Sequence, residues 1–112
     1  MKKLHIAIAT NSIENSVVDY SSRLGQAPCS YVENEYALWR TASLNFSVRQ
    51  VESVPEQVVR HLGWEDAAAS TFTEEVDVNG ILWERFSAQD QANEINELWP
   101  EANYCPDDTY RD

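Results

Sequence analysis

The sequence has few cysteines, which could cross-link a small protein, and no long apolar run, which could anchor it in a membrane. Its 112 residues include only two cysteines, Cys29 and Cys105, without the spacing of a metal-binding motif. We therefore expect a reduced, cytoplasmic protein, with one disulfide between these cysteines left open as an alternative. No apolar run approaches the roughly 20 residues that span a bilayer, and none follows Lys2 and Lys3 as in a signal peptide. A membrane protein is not expected.

Basic residues are also scarce. Eight Lys and Arg stand against 19 Asp and Glu, for a net charge of −11. Such a surface repels the phosphates of nucleic acids and anionic membranes, so neither is expected as a partner. An acidic surface attracts a cationic ligand or partner, or it simply keeps the protein soluble. Both interpretations stay open.

The remaining composition predicts one folded domain. Hydrophobic residues make up 43% of the chain, and four Trp, five Tyr and three Phe supply bulk for a core. We predict a single domain over residues 1–100. The acidic segment 101–112 is predicted to be a tail that packs loosely.

The N-terminal strand, predicted over residues 3–9, organises the rest of the chain. One face carries a single polar side chain, His5, together with the small residues Ala7 and Ala9, and we expect open space and any functional site in front of it. The next segment predicts a helix, with Asn11 as its cap, Glu14 completing a capping box and Gly25 after its last turn. This helix is expected to cover the aliphatic face of the strand, formed by Leu4, Ile6 and Ile8.

Alternating apolar residues and turn residues divide the rest of the chain. Asn79-Gly80 is the strongest hairpin signal, and Ser87 with Asp90 predicts a capping box for a terminal amphipathic helix. The predicted strands are residues 36–40, 44–49, 58–64, 71–78 and 81–86. The order is βαββ-βββα, an α+β fold with a curved, mainly antiparallel sheet and a C-terminal helix. The two halves look like weak repeats, each opening with a strand that carries one histidine.

Four short motifs resemble the vicinal oxygen chelate superfamily, the group of glyoxalases, bleomycin-resistance proteins and extradiol dioxygenases. They are Leu4-His-Ile-Ala-Ile-Ala-Thr10, Asp19-Tyr-Ser-Ser-Arg-Leu-Gly25, Arg60-His-Leu-Gly-Trp-Glu65 and Asp77-Val-Asn-Gly-Ile-Leu-Trp-Glu84. The resemblance implies paired, glyoxalase-like βαβββ modules that form a half-open barrel around a cavity. Only 22 residues separate His61 from Glu84, so the second module is expected to be abbreviated. Such modules often pair between chains, which implies a homodimer.

The same resemblance implies a divalent metal, Fe, Mn, Zn or Ni, held by His5, His61 and Glu84. Glu84 is also the implied catalytic residue. The family's other frequent ligand, a Glu near the end of the first module, has no match, and Arg49 or Gln50 stands there instead. Two imidazoles and one carboxylate suit a metal that keeps positions open for an oxygen ligand. Histidines that are merely hydrogen-bonded at the sheet surface, or a salt bridge from Arg49 to Glu84 in place of the metal, are the competing interpretations.

The expected ligand is a small molecule in the concave face of the sheet. The reaction implied by the resemblance is that of a metal-dependent lyase or dioxygenase. A metal-free protein that sequesters a ligand, as drug-resistance proteins do, and a structural dimerisation module are the alternatives. Tryptophans can line such a pocket, although they also serve in cores and dimer contacts. The residues predicted to bind the ligand are Trp39, Asn45, Ser47, Arg49, Trp64 and Trp83.

Overall fold

The computed structural model describes residues 2–106 and contains seven strands and two α-helices. These elements are β1 (Lys2–Thr10), α1 (Ile13–Leu24), β2 (Ser30–Val32), β3 (Tyr36–Arg40), β4 (Leu44–Gln50), β5 (Val59–Asp66), β6 (Thr73–Val76), β7 (Leu82–Phe86) and α2 (Ala88–Leu98). The strands form one mixed sheet in the order β2-β3-β4-β1-β5-β7-β6, and together with the helices they confirm the predicted α+β fold class. The short strand β2 has no counterpart among the predicted elements.

The sheet is built from two related halves that meet at its centre. In the first half β1 pairs with β4 in parallel, and in the second β5 pairs with β7 in parallel. The first strands of the two halves, β1 and β5, are antiparallel neighbours. The second half contains two strands after β5 and no helix between them, so it is the abbreviated half. This arrangement brings the two histidine-bearing strands side by side.

Helix α1 packs on one side of the first half, which we call the outer face of the sheet. Its apolar stripe contacts buried side chains of β3 and β4, including Trp39 and Val48. The helix begins one residue later than the sequence predicted, because the side chain of Ser12, not of Asn11, accepts the backbone N–H of Asn15. Gly25 ends it in the left-handed conformation at φ +74°, as expected.

Helix α2 packs on the opposite side, which we call the inner face and which carries His5. The capping box between Ser87 and Asp90 starts the helix as predicted. Its buried stripe, which includes Ile95, lies against Tyr36 and other inner-face side chains of the first half. The expectation of open space in front of β1 is therefore wrong over much of its length.

The burial of β1 shows the consequence of this packing. Its inner face, including His5 and Ala7, is fully buried, whereas the aliphatic face with Ile6 and Ile8 is only half-buried. Helix α1 covers only the first half of the outer face, and within residues 2–106 no helix packs on the outer face of the second half. The better-covered face of the central strand is thus the one with the polar side chain.

The described part of the acidic segment is docked rather than loose. After one turn of 3₁₀ helix (Pro100–Ala102), the backbone of Tyr104 forms two hydrogen bonds of 2.7 Å with the side chain of Asn96. Ala102 and Tyr104 also pack against the apolar cluster under α2. The prediction for residues 107–112 lies outside the described residues. Cys29 and Cys105 are both free.

No helix within residues 2–106 combines the length and the apolar character needed to cross a membrane. This finding agrees with the sequence, in which no apolar run approaches the length of a bilayer span.

Candidate metal centre

Three side chains from three neighbouring strands converge on the inner face. The Nε2 atoms of His5 and His61 lie 3.0 Å apart, and His61 Nε2 lies 3.1 Å from Glu84 Oε1. All three potential ligand atoms lie within 4.8 Å of one another, so this group could hold a metal ion. The sequence placed these residues in one site, and the structure brings them together.

The register of the sheet explains why they meet. His5 of β1 lies opposite Gly63 of β5, and Gly63 lies opposite Glu84 of β7. His61 is two residues before Gly63, so it shares the inner face with these partners. Gly63 itself has no side chain, and a Cβ there would meet the backbone of Glu84, so glycine lets β5 and β7 approach closely at the site.

Behind His5, a buried polar series fixes the orientation of its imidazole. His5 Nδ1 lies 2.8 Å from Asn45 Oδ1, and Asn45 Nδ2 donates to Glu65 Oε1 at 2.7 Å. Glu65 in turn accepts two hydrogen bonds from Arg40, at 2.9 and 2.7 Å. Gln91 of α2 closes the series by exchanging two hydrogen bonds with the amide of Asn45. All five side chains are buried.

The series determines which nitrogen of His5 carries the proton. Burial is the largest influence on the pKa of Glu65 and raises it, but the hydrogen bonds from Arg40 and Asn45 and the charge of Arg40 outweigh it. The pKa lies below its ordinary value and the group is an ionised acceptor. The amide nitrogen of Asn45 must therefore face Glu65, and its oxygen must face His5. His5 Nδ1 is then the donor, and its Nε2 presents a lone pair to His61.

The protonation of His5 and Glu84 suits metal binding. Burial lowers the pKa of His5 from 6.5 to about 4, so its imidazole is neutral at pH 7. Burial opposes the ionisation of Glu84, but the hydrogen bond and charge of His61 prevail and hold the pKa of this carboxyl below its usual range. In the metal-free protein the proton on His61 Nε2 is shared by two acceptors, His5 Nε2 and Glu84 Oε1.

We expect the buried His5 to make the metal-free protein less stable in acid. The unfolded chain takes up a proton at His5 as the pH falls through 6.5, while the folded protein does so only near pH 4. Protonation of His5 therefore leaves the free energy of unfolding unchanged above pH 6.5 and lowers it by about 3 kcal/mol as the pH falls from 6.5 to 4. Urea unfolding at several pH values should show this loss in the wild type and not in His5→Gln. Parallel pH profiles for the two proteins would contradict it.

The donor set also passes a geometric test for a metal ion. A metal about 2.1 Å from each of two ligands at right angles separates those ligands by about 3.0 Å. The distances from His61 Nε2 to its two neighbours, 3.0 and 3.1 Å, match this value. In metal sites the far nitrogen of a ligating histidine typically donates a hydrogen bond to a protein acceptor, and Asn45 supplies this acceptor for His5.

The cluster opens into a cavity of about 120 Å³ between the sheet and α2. His5 is 3% exposed, so access is through His61 and Glu84, whose side chains are 13% and 18% exposed. Half-exposed Phe72 and Leu98 also line the cavity. The other lining residues are Tyr36, Ser47, Arg49, Arg60, Phe86, Asp90, Gln91, Glu94, Ile95 and Trp99.

Three of the six residues predicted to bind a ligand lie on the inner face. Ser47 and Arg49 line the cavity, whereas Asn45 lies behind His5 and acts on the site through that side chain. Within residues 2–106, the ion pair of Glu84 is with His61 and not with Arg49. The salt bridge weighed as a replacement for the metal is therefore not formed.

The three tryptophans predicted to line the pocket lie elsewhere. Trp39 is fully buried under α1, where its Nε1 donates to Ser21 Oγ at 3.3 Å. Trp64 and Trp83 lie near each other on the outer face of the second half, with ring centroids 6.4 Å apart. Strand alternation sends them there because their neighbours Gly63 and Glu84 face inward. The tryptophan that does line the cavity is Trp99 of the C-terminal segment.

Some functional residues were not identified from the sequence. Glu65 and Gln91 hold Asn45, and Arg60 faces the cavity beside His61. Gln91 carried a usable signal, because it is a polar residue on the helix stripe that also contains Ile95. Arg60 carried none, since a regular strand would turn it away from His61.

No protein-family model matches this chain, and no curated protein matches it either.

Proposed function

We propose that the protein binds a divalent metal through His5, His61 and Glu84 and acts on a small molecule in the adjoining cavity. The observation that carries this proposal is the convergence of the three ligand atoms: His61 Nε2 lies 3.0 Å from His5 Nε2 and 3.1 Å from Glu84 Oε1, and all three lie within 4.8 Å of one another. The pairing of two half-sheets through their histidine-bearing strands supports membership in the vicinal oxygen chelate superfamily as part of the same proposal.

The chemistry proposed is that of a lyase or dioxygenase of this superfamily. A metal held by three protein ligands supplies Lewis-acid polarisation of a substrate oxygen. The protein's own side chains hold the metal and orient the substrate. His5 is fixed by Asn45, Glu84 is ionised and is the side chain to which we assign proton acceptance, and α2 limits the access of water to the cavity.

Metal analysis of the purified protein tests the proposal directly. After reconstitution with Zn²⁺, Mn²⁺, Fe²⁺ or Ni²⁺ and removal of the excess, we expect one metal per chain in the wild type. His61→Ala and Glu84→Ala should each weaken binding at least about 100-fold, because each removes a ligand.

Glu74→Ala is the matched control for this experiment. Glu74 lies directly opposite Glu84 on the edge strand β6 and is exposed, so its loss removes a nearby carboxylate without removing a ligand. This variant should retain one metal per chain. A wild-type protein without stoichiometric metal after reconstitution would contradict the proposal.

The two alternatives from the sequence stay as predictions. A metal-free ligand-binding protein would bind small molecules equally well after metal removal and in His61→Ala. A structural dimerisation module would bind neither metal nor ligand. The homodimer that it requires, and that is expected for the metal enzyme too, is favoured by the outer face of the second half, where Trp64 is partly exposed and no helix packs within the described residues.

A further inference from the structure

Two guanidinium groups line the cavity, and neither pairs with a carboxylate of residues 2–106. Arg49 comes from the end of β4 and Arg60 from the start of β5. Within residues 2–106, no ion pair shorter than 4.0 Å involves either side chain, and neither has a hydrogen bond. In a protein with 19 acidic and eight basic residues, two such side chains in one cavity are unexpected.

A local irregularity of the sheet directs Arg60 into the cavity. Ala7 pairs with His61 and Ile8 pairs with Val59, so the register shifts and Arg60 is the extra residue of a β-bulge. A bulge breaks strict alternation and redirects a side chain. Consecutive residues Arg60 and His61 therefore both line the cavity, one as a cation and the other beside Glu84.

Arg49 and Arg60 line the same cavity, so their positive charges repel each other. Burial, and next the charge of Arg49, lowers the pKa of Arg60. Arg49 is held over the ring of Trp99, with its Cζ 5.4 Å from the ring centroid. Guanidinium groups placed together in this way form a natural site for a carboxylate, which each can bind through charge-assisted hydrogen bonds.

Resting on the metal function proposed above, we infer that the cavity binds a small oxo- or hydroxycarboxylate, with its carboxylate between Arg49 and Arg60 and its oxygen donor towards His61 and Glu84. A cavity of 120 Å³ has room for about ten water-sized groups, which limits the ligand to about ten non-hydrogen atoms. Glu94 of α2 lines the same cavity and opposes an anion there.

Succinate and its neutral isostere succinamide are the probes for this subsite. They are titrated into protein freed of metal by chelation and dialysis, and the Nε–Hε signals of the arginines are followed by NMR. Succinate should shift the signals of Arg49 and Arg60 saturably, and succinamide should not. Arg49→Gln and Arg60→Gln should each raise the Kd for succinate at least about tenfold.

Two further variants sharpen the test. Glu94→Gln should lower the Kd for succinate, because it removes a competing negative charge. Arg23→Gln, which alters an exposed guanidinium on α1 paired with Asp19, should leave the Kd unchanged. Equal binding of succinamide, wild-type affinity in both arginine variants, or weaker binding in Glu94→Gln would each overturn the inference.

The experiment separates this inference from the proposed metal function. Succinate binding to metal-free protein needs the arginines and no metal ion, so it survives if no metal binds. Conversely, a protein that binds metal but does not bind succinate refutes the anion subsite and leaves the metal function standing. If both hold, malate, which adds one hydroxyl to succinate, should bind the metal-loaded protein more tightly than succinate does.

Discussion

Gly63→Ala is expected to lower the free energy of unfolding by at least about 3 kcal/mol. A Cβ atom at this position would overlap the carbonyl oxygen of Glu84 and would lie 2.9 Å from its carbonyl carbon and 3.0 Å from its nitrogen. These are backbone atoms of the paired strand, so they cannot swing aside as the end of a flexible side chain can. Strands β5 and β7 must separate, and urea unfolding of metal-free protein at pH 7 measures the cost.

Gly25→Ala is the control for this substitution. Gly25 has a φ of +74° and no atom within 4 Å of an added Cβ, so the cost there is only the strain of the left-handed conformation, about 1 kcal/mol. A loss of stability for Gly63→Ala no larger than that for Gly25→Ala would contradict the predicted clash. Because Gly63 lies between His5 and Glu84 in the sheet, the same substitution should also weaken metal binding.

The candidate ligands could be predicted because strand periodicity determines which side chains share a face. His61 and Gly63 are two residues apart, and Glu84 occupies the matching face of its strand once the Asn79-Gly80 turn sets the hairpin. The expectation that the two halves pair came from the resemblance of their motifs to those of the vicinal oxygen chelate superfamily. The hairpin forms at this place, but its turn is longer than the predicted two residues, because Val76 pairs with Leu82 and the N–H of Asp77 donates to the carbonyl of Ile81. Gly80 lies in this turn at φ +83°.

The cover over the site could not be predicted from the same patterns. The pattern of an amphipathic helix indicates that one of its faces is buried, but it does not indicate on which side of the sheet the helix packs. The same limit applies to the inner-face residues Asn45 and Glu65. Asn45 is predicted from the sequence to bind the ligand, and no local pattern indicates that it is instead buried between His5 and Glu65. Their partners Arg40 and Gln91 are 25 residues from Glu65 and 46 from Asn45, beyond any local pattern.

A bulge is equally hidden from the sequence. Arg60 precedes His61, and strict alternation would send it to the outer face. Only the pairing of β5 with β1 shows that the register shifts at this point. The cavity therefore contains a cation that no periodicity within β5 could indicate.

The second large effect is expected from Glu65→Gln, which should lower the free energy of unfolding by about 3–5 kcal/mol. The Arg40–Glu65 pair is buried, with side-chain exposures of 6% and 9% and a shortest N–O distance of 2.7 Å. Neutralising Glu65 removes the carboxylate that forms this buried ion pair with Arg40. Urea unfolding at pH 7 measures the loss, with Glu75→Gln on the exposed strand β6 as a near-neutral control.

A double substitution separates the stability of this pair from its effect on the metal centre. Arg40→Met with Glu65→Leu removes both charges, so most of the stability lost in Glu65→Gln should return. Metal affinity should not return, and we expect it to stay about 10–100-fold below the wild type, because Asn45 no longer has the acceptor that turns its oxygen towards His5. Wild-type metal affinity in a stable double variant would show that the orientation of His5 does not depend on Glu65. Low affinity together with recovered stability identifies Glu65 as a positioning residue, since a purely structural pair would restore both properties at once.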